Sequence, residues 1–175
     1  YKFVKYGQLY ELCENFSKNA VLNKLVEEKT YEDESGNWKI LGIFSRNCLE
    51  WVVTDIAMQM NDITTVTFYS TLGSESFDHI FKQTQVSTVC CSPDSIKALS
   101  DYHKTFKFAS LKNVIIYDYT QFMTKEKSEV QVLLDLGLKV IYFSDLIKKC
   151  TEDVKLKSAQ YDSVVTLCYT SGTTN

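Results

Sequence analysis

A chain of 175 residues with 45% hydrophobic and 13% aromatic content has ample material for the core of one α/β-type domain and is not a disordered polymer. Its net charge of -3, with lysines and acidic residues interspersed, gives no electrostatic footprint for a nucleic-acid backbone, so nucleic acid is excluded as an expected partner. No apolar run approaches the roughly 20 residues that cross a bilayer, and Tyr1-Lys2-Phe3-Val4-Lys5-Tyr6 has neither a signal-peptide core nor an initiating Met, so the start is expected to be a cut point, as is the end, which falls inside a loop.

In chain order, residues 8–28 place Leu9, Leu12, Phe16, Leu25 and Val26 at mostly helical spacing, and residues 29–38 form a charged, glycine-containing loop. Lys39 to Ser45 is a short apolar run, read as a strand. Asn47 with Glu50 three positions on reads as a capping box opening a helix over 49–60. Residues 63–69 are β-branched and aromatic, and residues 74–85 set Phe77, Ile80 and Phe81 on one helical face. Residues 86–91 read as a strand, with Ser92 as N-cap and Pro93 at the first position of a helix that runs on from Asp94 to Phe106. The remainder reads as a strand over 113–117, a helix over 125–136, a strand over 139–143, a short helix from Ser144 to Lys149 and a last strand over 164–168.

Six short apolar runs alternating with helices predict a doubly wound α/β fold, a mainly parallel sheet flanked by helices. Parallel strands need crossover helices that cover both faces, which is why such runs are apolar throughout rather than alternating. With no repeat, low-complexity tract or Pro/Gly linker, residues 1–175 read as one α/β subdomain. Ligands of such sheets lie beyond the carboxyl ends of the strands.

The last run, Val164 to Cys168, opens into Tyr169-Thr170-Ser171-Gly172-Thr173-Thr174-Asn175. A strand feeding a loop with one glycine and four hydroxyls is suited to cradle phosphate: glycine admits close backbone N–H approach, and hydroxyl donors rotate to follow phosphate oxygens. The same residue types also make ordinary turns. The loop is not the P-loop of NTPases, since G-x-x-x-x-G-K-[ST] is absent and no lysine follows Lys157.

Other groups carry less chemistry. Cys13, Cys48, Cys90, Cys91, Cys150 and Cys168 show no C-x-x-C or metal-ligand spacing and read as reduced, mostly buried thiols of a cytosolic protein. His79 and His103 fall in helical segments without nucleophile or acid partners, which favours surface or packing roles. Glu27, Glu28, Glu32, Asp33 and Glu34 read as a solvated turn. Trp51 and Tyr69 are aromatic residues at positions more often core than ligand-lining.

Several segments resemble the acyl-CoA synthetases of the adenylate-forming superfamily, and its long-chain fatty acid branch in particular. Tyr169-Thr170-Ser171-Gly172-Thr173-Thr174 is similar to the superfamily's phosphate-binding signature Y-T-S-G-T-T-G, which runs on into P-K-G, and residues 162–168 are similar to the strand before it. Leu41-Gly42-Ile43-Phe44-Ser45-Arg46-Asn47 with Glu50-Trp51, and Tyr69-Ser70-Thr71-Leu72-Gly73, resemble segments of the long-chain branch. Asn175 departs from the signature's second glycine, although asparagine tolerates left-handed backbone angles better than most residues. Cys48-Leu49 replaces a turn that often holds proline, a neutral change.

The resemblance implies that Thr170, Ser171, Gly172, Thr173 and Thr174 contact the β- and γ-phosphates of ATP. It implies two steps, adenylation of a fatty carboxylate with loss of pyrophosphate, then displacement of AMP by the thiol of coenzyme A. Mg²⁺ and positioned donors are the expected stabilisers of the leaving group, each donor worth ~3 kcal/mol by analogy with oxyanion-hole deletions. The family's catalytic lysine, Mg²⁺-binding acid and adenine and ribose motifs follow the signature, so residues 1–175 alone are expected to be inactive and to hold no catalytic residue. A cytoplasmic enzyme at the cytosolic face of a membrane is implied, any membrane contact lying in segments outside these residues. Two other readings stand beside this one: an adenylating ligase for an aromatic or amino acid, and a non-catalytic nucleotide-binding or interaction domain.

Overall fold

The computed structural model describes residues 3–32, 36–69, 73–120 and 127–170. In chain order its elements are α1 (Tyr6–Leu22), β1 (Glu28–Lys29), β2 (Trp38–Phe44), α2 (Leu49–Gln59), β3 (Thr64–Thr67), α3 (Ser74–Thr84) and β4 (Thr88–Cys91). A 3₁₀ turn at Pro93–Ser95 then leads into α4 (Ile96–Phe106), β5 (Asn113–Ile116), α5 (Lys127–Asp135), β6 (Lys139–Tyr142), α6 (Phe143–Leu146) and β7 (Thr166–Leu167).

Strands β6-β5-β4-β2-β3-β7 lie side by side in that order, every neighbouring pair parallel, and β1 pairs antiparallel with the start of β2. The doubly wound parallel sheet expected from the alternating runs is therefore the observed architecture. Chain order reverses between β2 and β4, the crevice position in such sheets. There Arg46 Nε lies 3.5 Å from Asp94 Oδ2, an exposed pair of small energetic weight.

Side chains alternate along β2 between two cores. Ile40 and Phe44 join Phe68, Phe77, Phe81 and Phe108 on the face covered by α3, α4 and α5. Leu41 and Ile43 join Phe16, Val53, Met58 and Phe143 on the face covered by α1, α2 and α6. Between them Gly42 is required by close packing: a Cβ there would lie 2.8 Å from Phe68 Cε2 and 3.0 Å from Val89 Cγ2. Gly42→Ala is accordingly expected to lower stability by about 1–3 kcal/mol, read as a shift in denaturant midpoint at unchanged slope.

Three differences from the sequence reading have physical reasons. Helix α1 ends at Leu22, because the chain turns through Lys24 at φ 51°, and the apolar Leu25 that extended the helical pattern is a buried loop residue. β1 carries no apolar signal, since it is a polar edge of two residues, Glu28 and Lys29. The expected capping box at Asn47 and Glu50 does not form: Cys48 is the N-cap of α2 and no side chain closes it, while the Glu50 carboxylate is committed elsewhere. Ser92 and Pro93 do open a helical segment as expected, with Ser92 Oγ 3.0 Å from Ser95 Oγ.

Candidate functional site at the carboxyl edge of the sheet

Because β2 to β7 run parallel, their carboxyl ends share one edge, and β7 delivers Thr170, exposed, to that edge beside β3. Thr170 thus stands on the expected side of the sheet, at its border rather than at the β2/β4 crevice. Ser171, Gly172, Thr173 and Thr174 lie outside the described residues.

Long-range side-chain bonds position β7. From residue 147 to 165 the chain runs without helix or strand, pinned by polar side chains of α1 and of the turn after α2. Asn19 Nδ2 donates to the carbonyls of Leu146 and Lys148, Asn15 Oδ1 accepts from Cys150 N, and Asn61 Oδ1 accepts from Lys157 N. Asp62, at φ 51°, accepts from Ser163 Oγ at 2.5 Å and pairs with Lys157 Nζ at 2.6 Å. The Lys157 ammonium, then the Ser163 hydroxyl, hold its carboxyl below the ordinary range. Thr64 Oγ1 donates to Val164 O at 2.8 Å, and Thr65 N to Val165 O at 3.0 Å.

Past the strand, Cys168 Sγ lies 3.2 Å from Tyr69 Oη, and Tyr169 Oη donates to Gln83 Oε1 at 2.6 Å. The Tyr169 ring meets His79 edge-on at a centroid distance of 6.5 Å. A cleft of about 610 Å³ opens here, walled by Tyr31, Trp38, Ile40, Gln83, Leu167 and Tyr169. Burial raises the Tyr31 and Tyr169 phenols above their ordinary values, and Tyr169 adds to the rise at Tyr31.

A second polar cluster lies at the carboxyl ends of β5 and β6. Glu50 is 1% exposed, and Oε1 accepts from Tyr119 N at 3.2 Å, Thr120 N at 2.7 Å and Thr120 Oγ1 at 2.9 Å. Asp118 accepts from the backbone N–H and the hydroxyl of Ser144, tying β5 to α6. Neither arrangement was legible in the sequence, since both join segments tens of residues apart.

The weaker candidates are resolved by position. Trp51 is half-buried against the core beneath α1, α2 and α6, on the opposite face of the sheet from the Phe77 cluster, whereas Tyr69 is 43% exposed beside β7. All six cysteines are free. Burial pushes the Cys13 thiol up to about 11 and Cys91 to about 12, and raises Cys90 further, so these three are inert core groups. His103 has a buried Nδ1 without a partner among the described residues, and burial lowers its pKa below the ordinary imidazole value. Of the acidic stretch, Glu27 pairs with Lys112 and Glu28 with Lys39 at the surface, while Asp33 and Glu34 lie outside the described residues. Among the described residues no group of three His, Cys, Asp or Glu side chains could hold a metal ion. No helix among them is long and apolar enough to cross a membrane.

Comparison with known proteins agrees with the fold. Fatty acyl-CoA synthetase B of Dictyostelium discoideum is 30% identical over 137 residues, 77% of this chain and 19% of that protein. Long-chain-fatty-acid–CoA ligase 5 of Rattus norvegicus is 24% identical over 176 residues, 99% of this chain and 24% of that protein. The chain therefore spans about a fifth to a quarter of the length of these relatives. The A-PCP didomain of carboxylic acid reductase from Segniliparus rugosus, solved in complex with AMP, shares the fold at a TM-score of 0.75 and 15% identity, over 97% of this chain and 24% of that one. Residues 4–175, nearly the whole sequence, match the family described as AMP-binding enzyme, and the chain belongs to that family.

Proposed function

We propose that this chain is part of an ATP-dependent ligase that joins long-chain fatty acids to coenzyme A. The observation that carries the reading is the delivery of Thr170, the first residue of the hydroxyl-rich sequence, to the carboxyl edge of a parallel sheet in a member of the AMP-binding enzyme family. The names of the curated relatives support fatty acids as the substrate. In the first step a carboxylate oxygen bonds to the α-phosphorus of ATP, and the bond from that phosphorus to the bridging oxygen breaks, releasing pyrophosphate. In the second, the thiol of coenzyme A gives up its proton and attacks the acyl carbonyl, and AMP departs with the electron pair of the broken acyl–oxygen bond. Thr170, Ser171, Gly172, Thr173 and Thr174 are assigned to the β- and γ-phosphates, where donors match the charge that pyrophosphate gains. No step is assigned to Mg²⁺ through residues of this region. The enzyme is placed in the cytoplasm, where it meets its fatty acid at the cytosolic face of a membrane.

Carboxylate-dependent ATP–pyrophosphate exchange by the intact polypeptide tests the reading with short, medium and long fatty acids beside aromatic and amino acids. Exchange is expected to peak with long fatty acids, and residues 1–175 alone are expected to show none. A peak with an aromatic or amino acid would keep the adenylation chemistry and replace the substrate. A folded protein that binds ATP and exchanges with no acid would be a non-catalytic domain.

A further inference from the structure

The ladder that holds β7 to the sheet is short, with register pairs Thr65–Thr166 and Val66–Leu167. Beyond Leu167, the contacts among the described residues include Tyr69 against Cys168, α3 against Tyr169, and the Tyr169 ring packed against the core and near Tyr31. The direction in which the chain leaves the sheet toward Thr170 and the hydroxyl segment is therefore set by what Tyr169 grips.

What it grips is rigid. Helix α3 is seated by Phe77, Ile80 and Phe81, each no more than 3% exposed. His79 and Gln83, four positions apart and so on one helical face, stand outside that seat and receive the Tyr169 ring and hydroxyl. The bond from Tyr169 Oη to Gln83 Oε1 spans 86 positions of sequence and fixes the residue immediately before the segment assigned to phosphate.

We propose that Gln83 is a positioning residue for nucleotide binding, acting through Tyr169 to set where the phosphate-binding segment leaves the sheet. The inference rests on the ligase reading and names a residue outside the signature on which ATP affinity depends. Gln83 touches no substrate itself. It holds the phenol with its amide oxygen, and the core beneath α3 seats the helix backbone that carries it.

The test uses the intact protein with two readouts, ATP affinity by titration calorimetry and the alkylation rate of the exposed Cys168, followed by peptide mapping. Tyr169→Phe and Gln83→Leu are each expected to weaken ATP about fivefold, the loss of one hydrogen bond, with the double variant no weaker than either single one. Fatty acid affinity should stay unchanged, Gln83→Glu should restore ATP affinity because it keeps the acceptor, and Cys168 alkylation should accelerate about fivefold as the strand end opens. Tyr169→Phe keeps the ring and Gln83 is exposed, so both variants are expected to fold. Multiplying effects in the double variant, equal losses for ATP and fatty acid, or ATP binding indifferent to both substitutions would each overturn the positioning role and leave the ligase reading standing. A wild-type protein that binds no ATP would overturn the ligase reading itself, whatever happens at Cys168.

Discussion

Replacing Phe77 with alanine is expected to destabilise this domain by about 3–5 kcal/mol, the range for emptying a well-packed aromatic site. Phe77 is fully buried at the centre of a ring cluster. Its centroid lies 4.5 Å from Phe68, 4.9 Å from Phe44, 5.0 Å from Tyr102, 5.5 Å from Phe81 and 6.0 Å from Phe108. Those rings come from β2, the end of β3, α3, α4 and the loop after α4, so the site cannot collapse without moving several elements together, and partial relaxation leaves a cavity. A domain with a total stability of about 5–15 kcal/mol would lose much of it. Chemical denaturation is the check: a large fall in midpoint at unchanged slope is expected, with Phe77→Leu falling less because it refills part of the volume. A loss below about 1 kcal/mol for Phe77→Ala would mean that the cluster is not the core that seats α3.

Burial on both faces is the reason the architecture was legible. Ile40 to Phe44, Val114 to Ile116 and Val89 to Cys91 are apolar without alternation because helices cover both sides of a parallel sheet, and that pattern survives in sequence. Leu25 misled for the same reason. Its apolarity reports burial at the sheet's amino edge, where its carbonyl accepts from Thr88 Oγ1 and Asn113 Nδ2, and says nothing about helix. β1 was invisible because a polar pair on an edge buries nothing that the sequence could advertise.

The site divides along a different line. Hydroxyl density and the resemblance made the segment from Thr170 onward legible, since its chemistry is contiguous. Gln83, Asp118 with Ser144, and Glu50 were not legible, because each acts on a segment brought near only by the sheet order. Glu50 shows the ambiguity well: three residues after Asn47 at a helix start, its spacing fits a cap, and nothing local reveals that a loop 70 residues away claims the carboxylate.

That competition gives the second large effect. If Glu50 merely capped α2, its loss would cost about 1 kcal/mol and fray one helix end. In the structure it is buried and accepts from two backbone N–H groups and the Thr120 hydroxyl, which also bonds Oε2 at 2.9 Å. Hydrogen bonds to an ionised acceptor are the stronger class, and deleting the acceptor strands its donors, so Glu50→Ala is expected to cost about 2–4 kcal/mol. Glu50→Gln keeps the shape and one accepting oxygen and is expected to cost about 1 kcal/mol. Hydrogen exchange locates the effect. The amides of Tyr119 and Thr120 should lose protection in Glu50→Ala, at the carboxyl end of β5, while the α2 amides from Val52 onward, the first that is bonded, keep theirs. Loss confined to α2, with residues 119 and 120 unchanged, would return Glu50 to a capping role and leave the loop after β5 without its anchor.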